Sequence, residues 1–307
     1  MTSTALSIRE AVALCAAWAD RFAKQHGCRA LVVKGSILES QGLRGPHESI
    51  DVDLLVDPAQ FTSFAEALAD AGWQPMAAST SAGIMAKHAV TVLHEKWPIS
   101  IDVHHYFPGF LAEPQTVFDA LWERRTTAVV ASVEVNTLDP ASHAALAALH
   151  YLRSPAPGII TNMLDPLADK ARTVLGPDGL NDLTQIAGHT GAAHTLALFL
   201  EKTGAAPATD DPALAEAYRE WELRTQAAPS ASWFVDLGRQ PLHTWPAVIW
   251  RALFLTDQEI TDHFMRPGDT IFRARMRRLR KGIRNAPGAL VFLIRFKFTH
   301  PRKRGDV

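Results

Sequence analysis

An α+β chain, with strands and helices in its first part and mostly helices after, is predicted from three observations. Residues 50–56, Ile-Asp-Val-Asp-Leu-Leu-Val, form a β-branched and aliphatic run of strand length that holds two carboxylates. From residue 5 to about 135, helical spacing alternates with short apolar runs. From Asp139-Pro140 onward the composition turns Ala/Leu-rich with a helical period, and mostly helices are read to about 265.

Each element has a local reason. Residues 5–26 place Ile8, Val12, Cys15, Trp18 and Phe22 three or four apart and end at Gly27, a helix and its stop. A short strand over 29–34 runs into Lys34-Gly35-Ser36, and a short helix over Ile37–Gln41 leads to a polar turn with Arg44, Gly45 and Pro46. After the acidic strand, Asp57-Pro58 opens a helix to about 71 that stops at Gly72. Paired strands are expected over 87–94 and 98–105, a helix near 114–124 and a strand near 128–135. Helices are expected near 140–153, 164–175, 180–187, 190–203, 212–225 and 245–263, with exposed loops around 203–211 and 227–232. The domains so defined are residues 1–138, a helical domain over 139–265 and a basic tail over 266–307.

The acids carry the chemistry. Side chains on a strand alternate faces, so Asp51 and Asp53 project from one face, roughly 7 Å apart. Two such carboxylates in an apolar strand repel each other and lose hydration, which a cation or a shared proton must relieve. Mg²⁺ is the simplest candidate, because it prefers oxygen ligands and leaves room for phosphates. A third carboxylate, Asp102, sits in Ile101-Asp102-Val103 on a separate strand, an arrangement suited to clamping two metal ions. Asp51, Asp53 and Asp102 are therefore the candidate catalytic and metal-binding residues, each with the alternative of an ordinary strand-end acid.

Other residues are placed to meet an anion. Lys34 can reach phosphate or simply end a strand; Gly35 permits close backbone approach. Ser36 is read as a phosphate donor or a helix cap. Arg44 suits bidentate phosphate contact, against a plain surface arginine. His104 shares a face with Asp102 and is a candidate for phosphate binding or proton transfer; His105 is expected to face away and pack. His88 is a weaker candidate of the same kind. His143 and His150, seven apart on a helix, are read as structural, and Asp165 and Asp169 as helix-start acids.

Composition frames these candidates. Of 307 residues 47% are hydrophobic and 21% charged, as in ordinary globular proteins. No secretory pattern and no apolar run of ~18 residues is read, so a cytoplasmic location is expected. Cys15 and Cys28 are expected to be free thiols, and the absence of Cys-x-x-Cys and His-Glu-x-x-His leaves a zinc site without support. The net charge of −1 hides a polarity: Arg266–Val307 holds thirteen Lys or Arg against two Asp, a local +11 balanced by −12 elsewhere. Three readings of that tail stand open: an RNA platform, attachment to an anionic inner membrane surface through bases with Phe292, Leu293, Phe296 and Phe298, or docking on an acidic body.

With Gly35-Ser36, Asp51-Val52-Asp53 and Ile101-Asp102-Val103 in view, the chain resembles the nucleotidyltransferase superfamily of DNA polymerase β-like fold. More narrowly, Val33-Lys34-Gly35, Arg44, Asp51 to Val56 and Asp102-Val103-His104 resemble a group of uncharacterised bacterial nucleotidyltransferases. The resemblance covers about residues 28–110. It implies a mixed sheet with helices on one side, and Mg²⁺-dependent transfer of a nucleoside monophosphate from an NTP to an acceptor. Two expectations compete with turnover: a catalytically silent nucleotide-binding module, and an accessory protein attached to membrane or RNA by its tail.

Overall fold

Val52, Leu54, Leu55 and Val56 of strand β2 (Asp51–Val56) are all buried, so this strand needs cover on both faces, which is why its sequence is nearly continuous in apolar residues. The computed structural model describes residues 6–76, 88–153, 158–226, 242–247, 250, 254–266 and 268–299. Their contacts group into two compact units, one holding residues up to 76 with 88–218, the other holding the described residues from 219 onward.

In the first unit, α1 (Ile8–Gln25) starts on a capping box between Ser7 and Glu10. It leads to β1 (Ala30–Val33), α2 (Gly35–Ser40) and β2. A 3₁₀ turn capped by Asp57 precedes α3 (Phe61–Asp70), followed by β3 (Gln74–Pro75), β4 (Ala89–Leu93) and β5 (Ser100–His104). The strands form one mixed sheet in the order β1-β2-β5-β4-β3, in which β2 and β5 run parallel and the other neighbours antiparallel. One face, with Val52, Leu54, Ile101 and Val103, packs with Val12, Cys15 and Phe22 of α1 and Phe64 and Leu68 of α3, with Trp73 in the same core. The opposite face carries Asp53, Asp102 and His104.

A single strand was expected near 128–135. After α4 (Pro114–Glu123) the chain instead makes a hairpin, β6 (Thr126–Val130) and β7 (Val133–Thr137). Ala131 and Ser132 both take positive φ, the backbone of a two-residue turn that matches strand twist, and neither residue type advertises it. Cys15 and Cys28 are free thiols, both pushed up to about 12 by burial.

Helices follow: α5 (Pro140–Leu152), started by the Asp139 cap, α6 (Asp165–His189), α7 (Ala197–Thr203) and α8 (Ala215–Gln226). α6 is broken at Gly176 (φ 59°, ψ −171°) before Pro177, so the two expected helices are two runs across one kink. α7 begins seven residues after the expected start at 190. The described residues of the second unit include α9 (Asp257–Phe264) and α10 (Ile271–Thr299). The 227–232 loop lies outside the described residues, as do the side chains of Phe292, Leu293, Phe296 and Phe298 and the Arg302-Lys303-Arg304 cluster.

Candidate active site

The parallel register of β2 and β5 sets Asp53 directly beside Asp102. Two residues further along β5, on the same face, stands His104. Ligand atoms of Asp53, Asp102 and His104 all lie within 4.8 Å of one another, a grouping able to hold a metal ion. Asp53 and His104 are buried, 6% and 3% exposed, while Asp102 is half-buried.

Each of these groups is held in place. Lys34 Nζ lies 2.5 Å and His104 Nε2 3.0 Å from the same Asp53 oxygen, Oδ1. A carboxylate only accepts, so Nε2 carries the proton that donates to it. His104 Nδ1 is buried and has no hydrogen-bond partner among the described residues. Thr91, opposite Asp102 on β4, donates its hydroxyl to Asp102 Oδ1 at 2.6 Å. Burial alone would raise the Asp53 carboxyl, but the His104 hydrogen bond and the Lys34 charge outweigh it and hold Asp53 below the usual carboxylate range.

The chain bends sharply to bring Lys34 there. Lys34 has φ 61° and ψ −138°, a region that favours glycine, and Gly35 follows with φ 49°. The Lys34 amide donates to His143 Nε2 on α5 at 2.6 Å. His143 Nδ1 in turn donates to Gln41 Oε1 at 2.8 Å, and Gln41 donates to the Leu138 carbonyl at 2.8 Å. The backbone amide can only donate, so the tautomer is fixed. His143 is fully buried, and burial pulls its pKa down to about 3 with the nearby Arg44 and Lys34 charges adding to the effect.

Arg44 donates to the Gly35 carbonyl at 2.8 Å, tying its loop to the start of α2. Lys34, Gly35, Arg44, Asp51 and Asp53 line one cleft of about 350 Å³, together with residues that include His150, Tyr151 and Met163. Asp51 thus faces the same cleft as Asp53, but it is not one of the three clustered groups; its Oδ1 accepts from the Ser49 hydroxyl at 2.8 Å. Ser36 is exposed within the first turn of α2, and it is not the helix cap, a position taken by Lys34 without a side-chain bond.

Sequence reasoning passed over Arg153. Arg153, the residue after α5, reaches His88 Nε2 at 3.3 Å and His150 Nδ1 at 3.1 Å. Burial lowers the Arg153 guanidinium pKa, and the charges of Asp53 and Asp102 push it back up. Burial, followed by the neighbouring cations, pulls His150 down to about 3; burial, followed by His104 and Arg153, pulls His88 down to about 4. His143, read as structural, holds the strained residue beside the acids. The one available signal was the seven-residue spacing of His143 and His150 on a helix whose partner surface the sequence does not name. His105 packs against Phe61 with ring centroids 4.6 Å apart, turned from His104 as strand alternation requires.

Residues 11–158 match the family model described as uncharacterised nucleotidyltransferase. By that match residues 11–158 belong to a nucleotidyltransferase family. That span contains every sheet residue of the site, Lys34, Arg44, His143 and Arg153. No curated protein matches the chain. Solved structures similar to it include the following three. The antibiotic-resistance factor ANT(2'')-Ia is 12% identical, with TM-score 0.38, over 62% of this chain and 94% of that one. An antigenic nucleotidyltransferase-like protein from Paracoccidioides brasiliensis is 12% identical, with TM-score 0.36, over 68% and 96%. The Thermotoga maritima CCA-adding enzyme, solved with tRNA, is 13% identical, with TM-score 0.28, over 96% and 75%.

Proposed function

We propose that the protein moves a nucleoside monophosphate from an NTP to an acceptor hydroxyl or phosphate, with release of pyrophosphate, in a Mg²⁺-dependent reaction. The observation that carries this reading is the convergence of Asp53 and Asp102 from adjacent parallel strands, with His104 in the same group. The donor set fits a hard divalent ion, since two carboxylates meet at one register level on adjacent parallel strands. Asp53 and Asp102 would hold Mg²⁺, with Asp51 on the same cleft serving a second ion. Bound Mg²⁺ supplies charge neutralisation at the phosphoryl oxygens.

The chain's own groups do the rest by position and charge. Gly35 leaves the cleft wall open to a phosphate, because a Cβ there would meet nothing within 4 Å. Lys34, paired with Asp53 on the cleft wall, would offer its ammonium to a phosphate bound there. Arg44 presents its guanidinium to the same cleft, and Ser36 offers a hydroxyl on the first turn beside it. His104, bonded to Asp53, keeps that carboxylate ionised and oriented. Arg153 adds fixed positive charge behind the acids.

The test is incubation of the full chain with each α-labelled NTP, Mg²⁺ and cell lysate. Transfer of label to one fraction, with pyrophosphate release that fails in Asp102→Asn, is the expected result. Tight Mg·NTP binding by calorimetry with no pyrophosphate released for any acceptor would instead make the protein a silent nucleotide-binding module. Arg44→Met is expected to raise KM for the NTP about tenfold with a much smaller effect on kcat, as loss of a contact made equally before and during reaction requires. Steady-state kinetics on the accepted NTP checks this.

A further inference from the structure

The arginines of α10 fall into two sets. One set is used up within the second unit. Arg275 donates to the Leu255 carbonyl at 2.8 Å and pairs with Asp257 at 2.9 Å. Arg277 pairs with Asp269 at 2.5 Å and donates to the Phe264 carbonyl, and Arg278 lies over the Phe264 ring at 5.4 Å. With Ala274 buried against Leu255 and Ile260, these contacts fix the inward side of the helix. The second set, Arg273, Arg280, Lys281 and Arg284, is exposed and has no acidic partner among the described residues.

Beside that second set runs an apolar row. Phe272, Met276, Leu279 and Ile283 stand at i, i+4, i+7 and i+11, one face of an α-helix. Phe272 is 71% and Ile283 72% exposed, a high value for two large apolar side chains on one face. One residue further on, Arg273, Arg277, Arg280 and Arg284 repeat the same spacing, so a basic row borders the apolar one along three turns. In the sequence Leu290 and Ile294 continue the apolar spacing.

We infer that α10 is a surface-seeking helix that lies on an anionic lipid bilayer, its apolar row in the acyl boundary and Arg273, Arg280 and Arg284 on the headgroups. Charge complementarity selects an anionic surface over a neutral one. Three of the four side chains in the row, Met276, Leu279 and Ile283, offer no aromatic face for a base to stack on, which selects lipid over nucleic acid. The helix lies on the surface rather than through it: among the described residues no helix is long and apolar enough to cross a membrane. This inference is independent of the proposed reaction.

The experiment is co-sedimentation of the full chain with phosphatidylcholine vesicles, with and without phosphatidylglycerol. Binding to the anionic vesicles alone is expected. Joint replacement Phe272→Ser with Ile283→Ser, which leaves every charge in place, should weaken it by about tenfold or more. Each of Arg273→Gln, Arg280→Gln and Arg284→Gln should weaken it roughly fivefold at low salt. All these side chains are exposed, so melting midpoints matching the parent are expected, and the arginine series stands as a separate arm from the apolar pair. Absence of binding to anionic vesicles overturns the inference. So does an apolar-pair variant that binds as well as the parent, or a chain that binds single-stranded RNA and no vesicle.

Discussion

Asp53→Asn is expected to lower nucleotide transfer on the order of 10³-fold while the chain stays folded. Asp53 is the point where the site's contacts meet: its Oδ1 takes both Lys34 and His104, and its neighbour in register is Asp102. The amide keeps the shape and loses the charge. Lys34, only 15% exposed at its side chain, is then left without its anion, and removal of one member of a buried pair costs ~3–5 kcal/mol at full burial, less here. A second substitution separates the two effects. Lys34→Met in the Asp53→Asn background should restore most of the lost stability, because no uncompensated charge remains, and restore none of the activity. Single-turnover transfer and urea unfolding of the four proteins in this cycle give the answer. Normal transfer by Asp53→Asn would remove the acid from the mechanism.

His143→Leu is expected to destabilise the first unit by about 1–3 kcal/mol, since it strands two partly buried groups at once, the Lys34 amide and Gln41 Oε1. It should also depress kcat, because the Lys34 backbone sits at φ 61° and has nothing else among the described residues to hold its amide there. The same bond makes the protein acid-sensitive. Burial holds the folded pKa of His143 at about 3 against 6.5 when free, so the unfolded chain binds the extra proton between those values. Stability from this residue is therefore complete above pH 6.5 and falls as pH drops toward 3, by about 1.4 kcal/mol per unit, or roughly 2 kcal/mol by pH 5. His88 and His150 are shifted the same way and steepen the loss. Unfolding free energies measured from pH 7.5 to 5 should slope less in His143→Leu than in the parent. Equal slopes would show that the histidine is not held neutral by the fold.

Much of the sheet side of this site was legible because its signals are local. The β-branched and aliphatic runs Ile50–Val56 and Ile101–Val103 placed the acids on strands, and Gly35 marked a turn open to close backbone approach. The expectation that Asp51 and Asp53 share a face rests on the strand period of two, and both line the cleft. The tighter group, however, pairs Asp53 with Asp102 and His104, and that depends on register between strands almost fifty residues apart. No local pattern encodes such a register. The hairpin at Ala131-Ser132 was missed for the opposite reason: its turn uses residues with no special preference for it, so the strand pairing imposes the angles.

The amino-acid sequence by itself determined the element types, the apolar strands bearing three aspartates, the Lys-Gly turn ahead of them and the charge imbalance of the last forty residues. These follow from side-chain period, backbone freedom and charge, which neighbouring residues settle among themselves. Tertiary structure alone decided that Asp53 meets Asp102, that His143 and Arg153 arrive from the helices to fix Lys34 and the histidines, and which arginines of α10 are spent on Asp257 and Asp269. Those outcomes depend on which surfaces bury each other. A buried donor takes whichever acceptor the packing brings within reach, and a sequence does not state that distance.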